Sequence, residues 1–360
     1  MKKQPDNRAV PMSAPACPVP PTNYENILLA HGGGGKLTAD LIEKLFLPAF
    51  GDPALDERHD GAEINIGRIR LAMTTDSFVV TPLFFPGGDI GRLAVYGTLN
   101  DLAMCGARPL FLSAAFIIEE GLPLKTVHQV ADSMGKAAKS SGIRLITGDT
   151  KVIERKSGND LFVTTTGIGI IEHGLKISPQ SIMKGDKIIL SGDIGRHGTA
   201  VMACREGFEF ETTIESDCAP LWNQVEIMLR ENIEIHCLRD LTRGGLATAL
   251  VEIAETSGLR LEIEESLIPV SDQVAGACEI LGLDPLYVAN EGRFICFVPE
   301  KQAGAAIGLL RQSAPNAAII GQATDTPKKD YSNIRVVMKT PLGTSRIIDR
   351  ITGDQLPRIC

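Results

Sequence analysis

The sequence lacks the apolar stretch that a membrane-spanning helix requires. Its longest largely apolar run, residues 109–118, is ten residues long, about half of the roughly 20 residues that cross a bilayer. The N-terminal region does not match a secretory leader either, because no apolar segment follows Lys2 and Lys3, and Ala16-Cys17 without one is a poor lipoprotein site. We therefore expect a cytoplasmic protein with no membrane partner.

An excess of basic residues is also missing. The chain has 36 Lys and Arg against 44 Asp and Glu, a net charge of −8. A nucleic-acid-binding protein needs a basic face that neutralises phosphates. The charge balance therefore argues against nucleic acid as a partner, while 44% hydrophobic and 22% charged residues are typical of globular domains.

The eight cysteines include no closely spaced pair. Without a C-x-x-C motif the spacing favours neither zinc nor a disulfide framework, and most of these thiols are expected to be buried in a reducing compartment. Cys360 is the exception. As the last residue, after a polar stretch containing proline, it has no chain beyond it to enclose a buried thiol.

A length of 360 residues suits two domains. Residues 1–22 contain six prolines and are predicted to be a disordered arm, because proline holds the chain extended and few apolar groups are present to bury. A turn near residue 180 separates the predicted domains, residues 23–180 and 181–340. The turn-rich segment 341–360 is predicted to be a mobile tail that carries Cys360.

Short apolar segments alternate with segments of helical periodicity in both halves. Predicted strands are residues 27–30, 71–76, 110–118, 143–146, 161–171, 187–190, 260–263 and 294–298. Predicted helices are a segment that begins at the glycine run and includes Leu37, Leu41 and Leu45, then residues 93–104, 124–140, 199–205 and 221–230, and one after Arg239–Leu246 that runs to residue 255. Both halves therefore mix helix and strand.

A run of four glycines precedes Lys36. Residues without Cβ let an anion approach the backbone amides, and the following helix start adds positive potential, which indicates phosphate binding. The run is not a Walker A motif, because Ala30 replaces its first glycine and Leu37 its Ser/Thr, and it is not G-x-G-x-x-G. A flexible loop is the alternative interpretation.

Four aspartates follow predicted strands or turns: Asp76, Asp101, Asp149 and Asp240. Each alone is more typical of a cap or turn residue. Several carboxylates near a glycine loop nevertheless suit Mg²⁺ held together with nucleotide phosphates.

Three motifs together resemble the HypE family of hydrogenase maturation proteins. They are the run TTDSFVVTPLFFPGGDIG at residues 74–91, the glycine loop and the terminal Pro357-Arg-Ile-Cys360. The resemblance covers residues 26–360. It implies a two-domain, aminoimidazole ribonucleotide synthetase-like fold, with an α/β N-terminal domain that binds ATP and dimerises, an α+β C-terminal domain and a mobile C-terminal tail.

The resemblance also implies site residues. Asp76, Asp101 and Asp240 would bind Mg²⁺, with Asp149 less secure as a further ligand. The ATP-binding residues would be Gly33, Gly34, Gly35, Lys36, Asp76, Asn100 and Asp149.

The implied reaction takes place on the chain itself. A HypF-type carbamoyltransferase loads a carbamoyl group onto Cys360, and ATP-dependent dehydration converts it to a thiocyanate. Glu291 would be the base, and Lys151 a cation at the carbonyl oxygen or the transferred phosphate. The resulting cyanide ligand would pass to the iron centre of [NiFe]-hydrogenase through an iron-carrying HypC–HypD scaffold.

Two other functions remain as alternatives. A small-molecule kinase or synthetase of the same superfamily would make Cys360 incidental. A metal-delivery protein would use its cysteines to hold iron or nickel, and close Cys/His spacing, which would favour it, is not present.

Overall fold

Two β-sheets, one in each half of the chain, organise the structure. The computed structural model describes residues 25–155, 160–207, 213–326 and 335–351. The predicted N-terminal arm and Cys360 lie outside these described residues. The predicted boundary near residue 180 falls between the last strand of the first sheet, which ends at Ile171, and the first strand of the second, which begins at Lys187.

Within its described residues, the first half contains four α-helices and seven strands. In chain order these are α1 (Lys36–Leu41), α2 (Leu47–Phe50), β1 (Ala62–Ile66), β2 (Ile69–Phe78), β3 (Phe84–Phe85), β4 (Gly88–Asp89), α3 (Ile90–Met104), β5 (Arg108–Glu119), α4 (Leu124–Ser140), β6 (Arg144–Ile153) and β7 (Leu161–Ile171). A π-helical turn, Ile42–Phe46, joins α1 to α2, and 3-10 turns lie at Leu29–Gly32 and Pro53–Glu57. The sheet order is β1-β2-β7-β5-β6, while β3 and β4 form a separate ribbon.

Helices α3 and α4 cover one face of this sheet. Asp89 caps α3 by accepting from the amides of Gly91 and Arg92 at 2.8 and 3.1 Å, which explains why the helix begins earlier than predicted. Helix α4 has the predicted bounds and buries Val130 and Met134 on its apolar face. It crosses between β5 and β6, the one parallel pair of the sheet.

The opposite face of the first sheet, here called the outer face, carries several exposed apolar side chains. Strand β7 alternates buried residues with outward-pointing ones such as Ile168, which pairs with Met73 of β2. Ile168 and Met73 are 38% and 42% exposed, and Ile117 of β5 is 42% exposed. Strand alternation normally turns polar residues toward water, so these three exposed apolar side chains are unusual for the solvent face of a sheet.

The second half contains five helices and seven strands among its described residues. In chain order these are β8 (Lys187–Leu190), α5 (Arg196–Glu206), α6 (Trp222–Arg230), β9 (Cys237–Asp240), α7 (Gly245–Ser257), β10 (Arg260–Glu264), α8 (Asp272–Leu281), β11 (Phe294–Val298), α9 (Glu300–Leu310), β12 (Ala318–Thr324), β13 (Val336–Lys339) and β14 (Ser345–Ile348). Short 3-10 turns lie at Pro179–Ser181, Glu265–Leu267 and Pro285–Tyr287. The sheet order is β14-β13-β10-β12-β8-β11-β9.

Both faces of this second sheet are covered. Phe294 and Val298 of β11 pack in one cluster with residues of α6 and α9, and Ile295 and Phe297 pack in another with residues of α7. Because side chains alternate along a strand, a strand buried on both sides must be apolar throughout, as β11 is.

Helix α3 connects the two halves. Its residues Ala103 and Met104 belong to a core cluster of the second half, whereas Val201 and Ala289 of the second half pack in the core of the first. Side chains at the end of α3 therefore lie close to both sheets. No helix within the described ranges is long and apolar enough to span a membrane.

Three predictions of local structure are wrong. Residues 27–30 are not a strand: the amide of His31 donates to the carbonyl oxygen of Leu28, which closes a 3-10 turn. Asp76 and Asp149 do not end their strands, because β2 and β6 continue past them. The tail also begins later than residue 341, since β14 pairs with β13 and extends the second sheet.

Candidate active site

The three predicted magnesium ligands meet where α3 passes between the two sheets. Asp76 lies in β2, Asp101 near the end of α3 and Asp240 at the end of β9. The hydroxyl of Thr74 donates to Asp101 Oδ2 at 2.8 Å. Burial raises the pKa of Asp101 well above its ordinary value, and the negative charges of Asp240 and Asp76 raise it further. The structure therefore brings these three carboxylates together.

Asp60 is a fourth carboxylate of this cluster, and the sequence analysis missed it. Its Oδ1 lies 3.0 Å from Arg239 Nε, while its buried Oδ2 has no hydrogen-bond partner among the described residues. Burial raises the pKa of Asp60, and its charge in turn raises the pKa values of Asp101 and Asp240. Asp60 belongs to no recurring motif, so only the folded chain reveals it.

These carboxylates fit Mg²⁺ that is shared with a nucleotide. In the parts of the chain that the structure describes, no three His, Cys, Asp or Glu side chains are arranged to hold a metal by themselves. Mg²⁺ usually takes one or two protein carboxylates together with waters and phosphates. The unpartnered Asp60 Oδ2 and the crowded buried negative charge are features that a divalent cation would relieve.

The glycine loop lies next to this cluster. Gly34 has a φ of 76°, and a Cβ added to it would lie 2.9 Å from the Cβ of Arg243, so the two backbones approach too closely for any other residue. The guanidinium Nη2 of Arg243 is 3.6 Å from Asp76 Oδ1. Arg243, which the sequence analysis did not single out, therefore lies between the glycine loop and a predicted magnesium ligand.

Two backbone amides of the glycine loop are already hydrogen-bonded within the chain. Gly33 donates to the carbonyl oxygen of Ala30 at 3.4 Å, and Gly34 donates to the hydroxyl of Thr38 at 3.0 Å. Helix α1 is also only six residues long. The exposed side chain of Lys36 is the better candidate for a phosphate contact.

The side chain of Asn100 bonds to backbone groups of the second half. Its Nδ2 donates to the carbonyl oxygens of Ala219 and Glu291 at 3.1 and 3.2 Å, and its Oδ1 accepts from the amide of Leu221 at 2.9 Å. Both amide hydrogens are therefore used, and the side chain is 2% exposed. Asn100 thus joins α3 to the backbone of the second half, and its contact with the nucleotide stays a prediction.

Glu291, the predicted base, lies at this same junction. It is 3% exposed, and its Oε1 has no hydrogen-bond partner among the described residues. Burial raises its pKa well above the ordinary value, and the charges of Asp240, Asp217 and Asp76 raise it further. Buried carboxylates that lack a hydrogen-bond partner and have a raised pKa commonly act as general bases or acids in enzymes.

Asp149 and Lys151 lie elsewhere in the chain. Both side chains point to the outer face of the sheet, from edge strand β6. Lys151 Nζ is 2.9 Å from Asp149 Oδ2, and the side chains of Lys151 and Asp149 are 69% and 62% exposed. Asp149 lines an open cavity of 530 Å³ against α4 that contains no residue of the carboxylate cluster. The structure does not bring this pair to Glu291 within one chain. Cys360 lies outside the described residues, which end at Ile351.

Both domains match models of one protein family. The N-terminal domain of AIR synthase related proteins matches residues 58–171, and the C-terminal domain of the same family matches residues 183–332. The chain is thus a two-domain protein of the AIR synthase related class, and the predicted fold class is confirmed.

Comparison with individual relatives identifies the family within this class. Carbamoyl dehydratase HypE of Azotobacter vinelandii is 47% identical over 337 residues, which cover 93% of this chain and 97% of the relative. The solved structure of HypE in complex with ATP superposes with a TM-score of 0.78 at 45% identity and covers 93% of this chain and 100% of that one. The HypE–HypF complex gives a TM-score of 0.80 at 43% identity, covering 86% and 99%. The chain belongs to the HypE family of carbamoyl dehydratases.

Proposed function

We propose that this protein is an ATP-dependent carbamoyl dehydratase that acts on its own C-terminal cysteine, Cys360. The names of its relatives support the reaction, and the ATP complex of a solved relative supports the co-substrate. In this chain, one observation carries the proposal: Glu291 is a buried carboxylate with an unpaired oxygen at the junction that also holds the acidic cluster.

The reaction converts S–C(=O)–NH₂ and ATP into S–C≡N, ADP and phosphate. The carbonyl oxygen of the carbamoyl group attacks the γ-phosphorus of ATP, because oxygen departs easily only after phosphorylation. Glu291 accepts the first N–H proton at its free oxygen, and the departing phosphate takes the second as the C≡N bond forms. The product supplies the cyanide ligand for the iron centre of [NiFe]-hydrogenase.

The acidic cluster, through Mg²⁺, and Arg243 would hold the nucleotide phosphates. Asp76, Asp101 and Asp240, together with Asp60, would bind Mg²⁺, whose role is to neutralise charge on the phosphates during transfer. Lys36 and Arg243 approach from the glycine-loop side. Because Arg243 is a neighbour of Asp76 in the same chain, it is a better candidate than Lys151 for the cation at the transferred phosphate of its own chain.

A homodimer accounts for the position of Lys151. Lys151 lies on the outer face beside Ile117, and several apolar side chains of this face are exposed in the single chain. Pairing of two outer faces would bury their apolar residues and carry Asp149 and Lys151 of each copy into the interface. Lys151 would then contact the site of the second copy.

The protein works in the cytoplasm with two kinds of partner. A HypF-type carbamoyltransferase loads Cys360, and the solved complex of HypE with HypF supports such an interaction. An iron-carrying scaffold of the HypC–HypD type receives the cyanide.

Intact mass spectrometry tests the proposal. The purified protein is incubated with carbamoyl phosphate, ATP, Mg²⁺ and the carbamoyltransferase, beside a Cys360→Ala variant. A carbamoyl adduct that loses one water only when ATP is present, and is absent from the variant, is the expected result. An unmodified tail with continued ATP hydrolysis would instead favour a small-molecule kinase or synthetase.

A further inference from the structure

The peptide groups on both sides of Glu291 are held by side chains from elsewhere in the fold. Asp217 Oδ1 accepts from the amide of Glu291 at 3.2 Å, on the amino side, and Asp217 Oδ2 accepts from the amide of Gly292 at 3.0 Å, on the carboxyl side. The Asp217 side chain is fully buried, and a Cβ on Gly292 would lie 2.0 Å from the Asp217 carbonyl oxygen. Asp217 therefore fixes this turn of backbone at close range.

Asn100 fixes the carbonyl side of the same residue. Its Nδ2 donates to the carbonyl oxygen of Glu291, and its other two bonds hold the backbone at Ala219 and Leu221, on either side of Pro220. Asn100 belongs to α3 of the first half, whereas Glu291 and Asp217 belong to the second. One side chain therefore sets Glu291 relative to the helix that also carries Asp101.

The carboxylate itself is left without such bonds. Glu291 Oε1 has no partner among the described residues, and Oε2 lies 4.0 Å from where a Cβ on Gly97 would stand, so the side chain extends over α3. The backbone of Glu291 is thus hydrogen-bonded, whereas its buried carboxylate is not. Since ordinary buried carboxylates are hydrogen-bonded, this arrangement is the one expected of a preorganised reactive group.

We propose that Asn100 and Asp217 are positioning residues for Glu291, and that neither binds the nucleotide. This inference rests on the proposed role of Glu291 as base. It replaces the nucleotide contact predicted for Asn100, and it gives Asp217 a role that its sequence context does not indicate. Misplacement of a reacting group by about 1 Å costs up to about 100-fold in rate. Loss of either positioning residue should therefore slow dehydration.

The test separates positioning from nucleotide binding. The Asn100→Ala and Asp217→Asn variants are carbamoylated, mixed with saturating ATP and Mg²⁺, and followed by intact mass in a single turnover, while ATP affinity is measured by calorimetry. We expect ATP affinity within about twofold of the wild type and a dehydration rate lower by about 10- to 100-fold. Weaker ATP binding with an unchanged rate at saturation would overturn the proposal in favour of a nucleotide ligand.

A double variant distinguishes positioning from general damage to the fold. If Asn100 acts through Glu291, Asn100→Ala should cause little further loss of rate in a Glu291→Gln background. An equal loss in both backgrounds would overturn the inference. Asp217→Asn is the nearly isosteric second variant should Asn100→Ala fail to fold, and Asn65→Ala, on the exposed end of β1, is the matched control. If the wild-type protein itself does not dehydrate its carbamoyl adduct, the proposed function is wrong, and the result does not concern the positioning of Glu291 alone.

Discussion

The backbone amide of Lys36 donates a hydrogen bond to the carbonyl oxygen of Ile351 at 3.1 Å, so the last described residue lies on the glycine loop. Residues 349–351, here called the strap, are also held by Tyr287, whose hydroxyl donates to the carbonyl oxygen of Asp349 at 3.0 Å. Arg350 Nη2 is 2.5 Å from Glu255 Oε2. Eight residues lie between Ile351 and Cys360, so the two positions can be at most about 30 Å apart.

Substitution of Gly35 should displace the strap. A Cβ at this position would lie 2.6 Å from the carbonyl oxygen of Ile351, whereas a Cβ at Gly33 would meet nothing closer than 3.8 Å. We expect Gly35→Ala to slow dehydration of the loaded tail by about tenfold and to speed tryptic cleavage after Arg350, because an overpacked contact typically costs 1–3 kcal/mol, roughly. Gly33→Ala is the matched control and should resemble the wild type. Equal behaviour of the two variants would show that the strap contact is unimportant.

Removing the charge of Glu291 should block the chemistry and spare the loading step. We expect Glu291→Gln to accept the carbamoyl group at a normal rate and to dehydrate it about 10²- to 10⁴-fold more slowly, the usual contribution of a general base. Burial raises the pKa of Glu291 well above its ordinary value. Since a base acts in its ionised form, the wild-type rate should rise with pH through that raised pKa. Single-turnover mass spectrometry across pH measures both effects, and a variant as fast as the wild type would exclude Glu291 as the base.

Strong local patterns were enough to predict much of the fold. The helix over residues 124–140 and the strands over 161–171, 187–190 and 294–298 have the predicted bounds, because each depends on an apolar period or run that burial enforces. The segment 27–30 is apolar as well, yet it is not hydrogen-bonded into either sheet. Whether an apolar segment pairs as a strand depends on neighbours that local sequence does not specify.

The site was predictable only where a motif marks it. Asp101 and Asp240 meet as the resemblance implies, but Asp60 and Asp217 are single acids in loops, and their roles arise from contacts with residues far along the chain. The contacts of Asn100 also depend on the fold. Successive residues of a helix point about 100° apart, so Asn100 bonds to the backbone of the second half while its neighbour Asp101 joins the acidic cluster.

Arg243 should contribute to nucleotide binding. It contacts the glycine loop at Gly34 and lies near Asp76, and charge-assisted contacts of this kind are worth roughly 1.5–3 kcal/mol. We therefore expect Arg243→Gln to raise the KM for ATP by about tenfold or more. Arg346→Gln is a matched control, because Arg346 also pairs with a carboxylate and is 44% exposed against 46% for Arg243. Equal KM values for the two variants would remove Arg243 from the phosphate site.

A charge on the outer face should break the proposed dimer. Ile168 lies in the middle of that face, on the central strand β7. We expect Ile168→Glu to be monomeric in sedimentation-velocity experiments, because burying an unpaired charge costs several kcal/mol. Leu267→Glu, at a site of the second half that is 44% exposed against 38% for Ile168, should leave the association state unchanged. A wild-type protein that sediments as a monomer would contradict the dimer directly.

The second domain should lose stability with rising pH through His236. Its Nδ1 lies 2.6 Å from Asp186 Oδ2, and this hydrogen bond raises the pKa of His236 above its ordinary value of 6.5. Because protonated His236 is favoured in the folded state, its contribution is complete below pH 6.5 and disappears as pH rises through the raised pKa. In urea unfolding, the stability advantage of wild type over His236→Gln should therefore be larger at pH 6 than at pH 9. The control His128→Gln removes an exposed histidine paired with Asp132 at 3.6 Å, and its effect on stability should differ little between pH 6 and pH 9. If the stability advantage of wild type over His236→Gln is independent of pH, the His236–Asp186 pair is not charged.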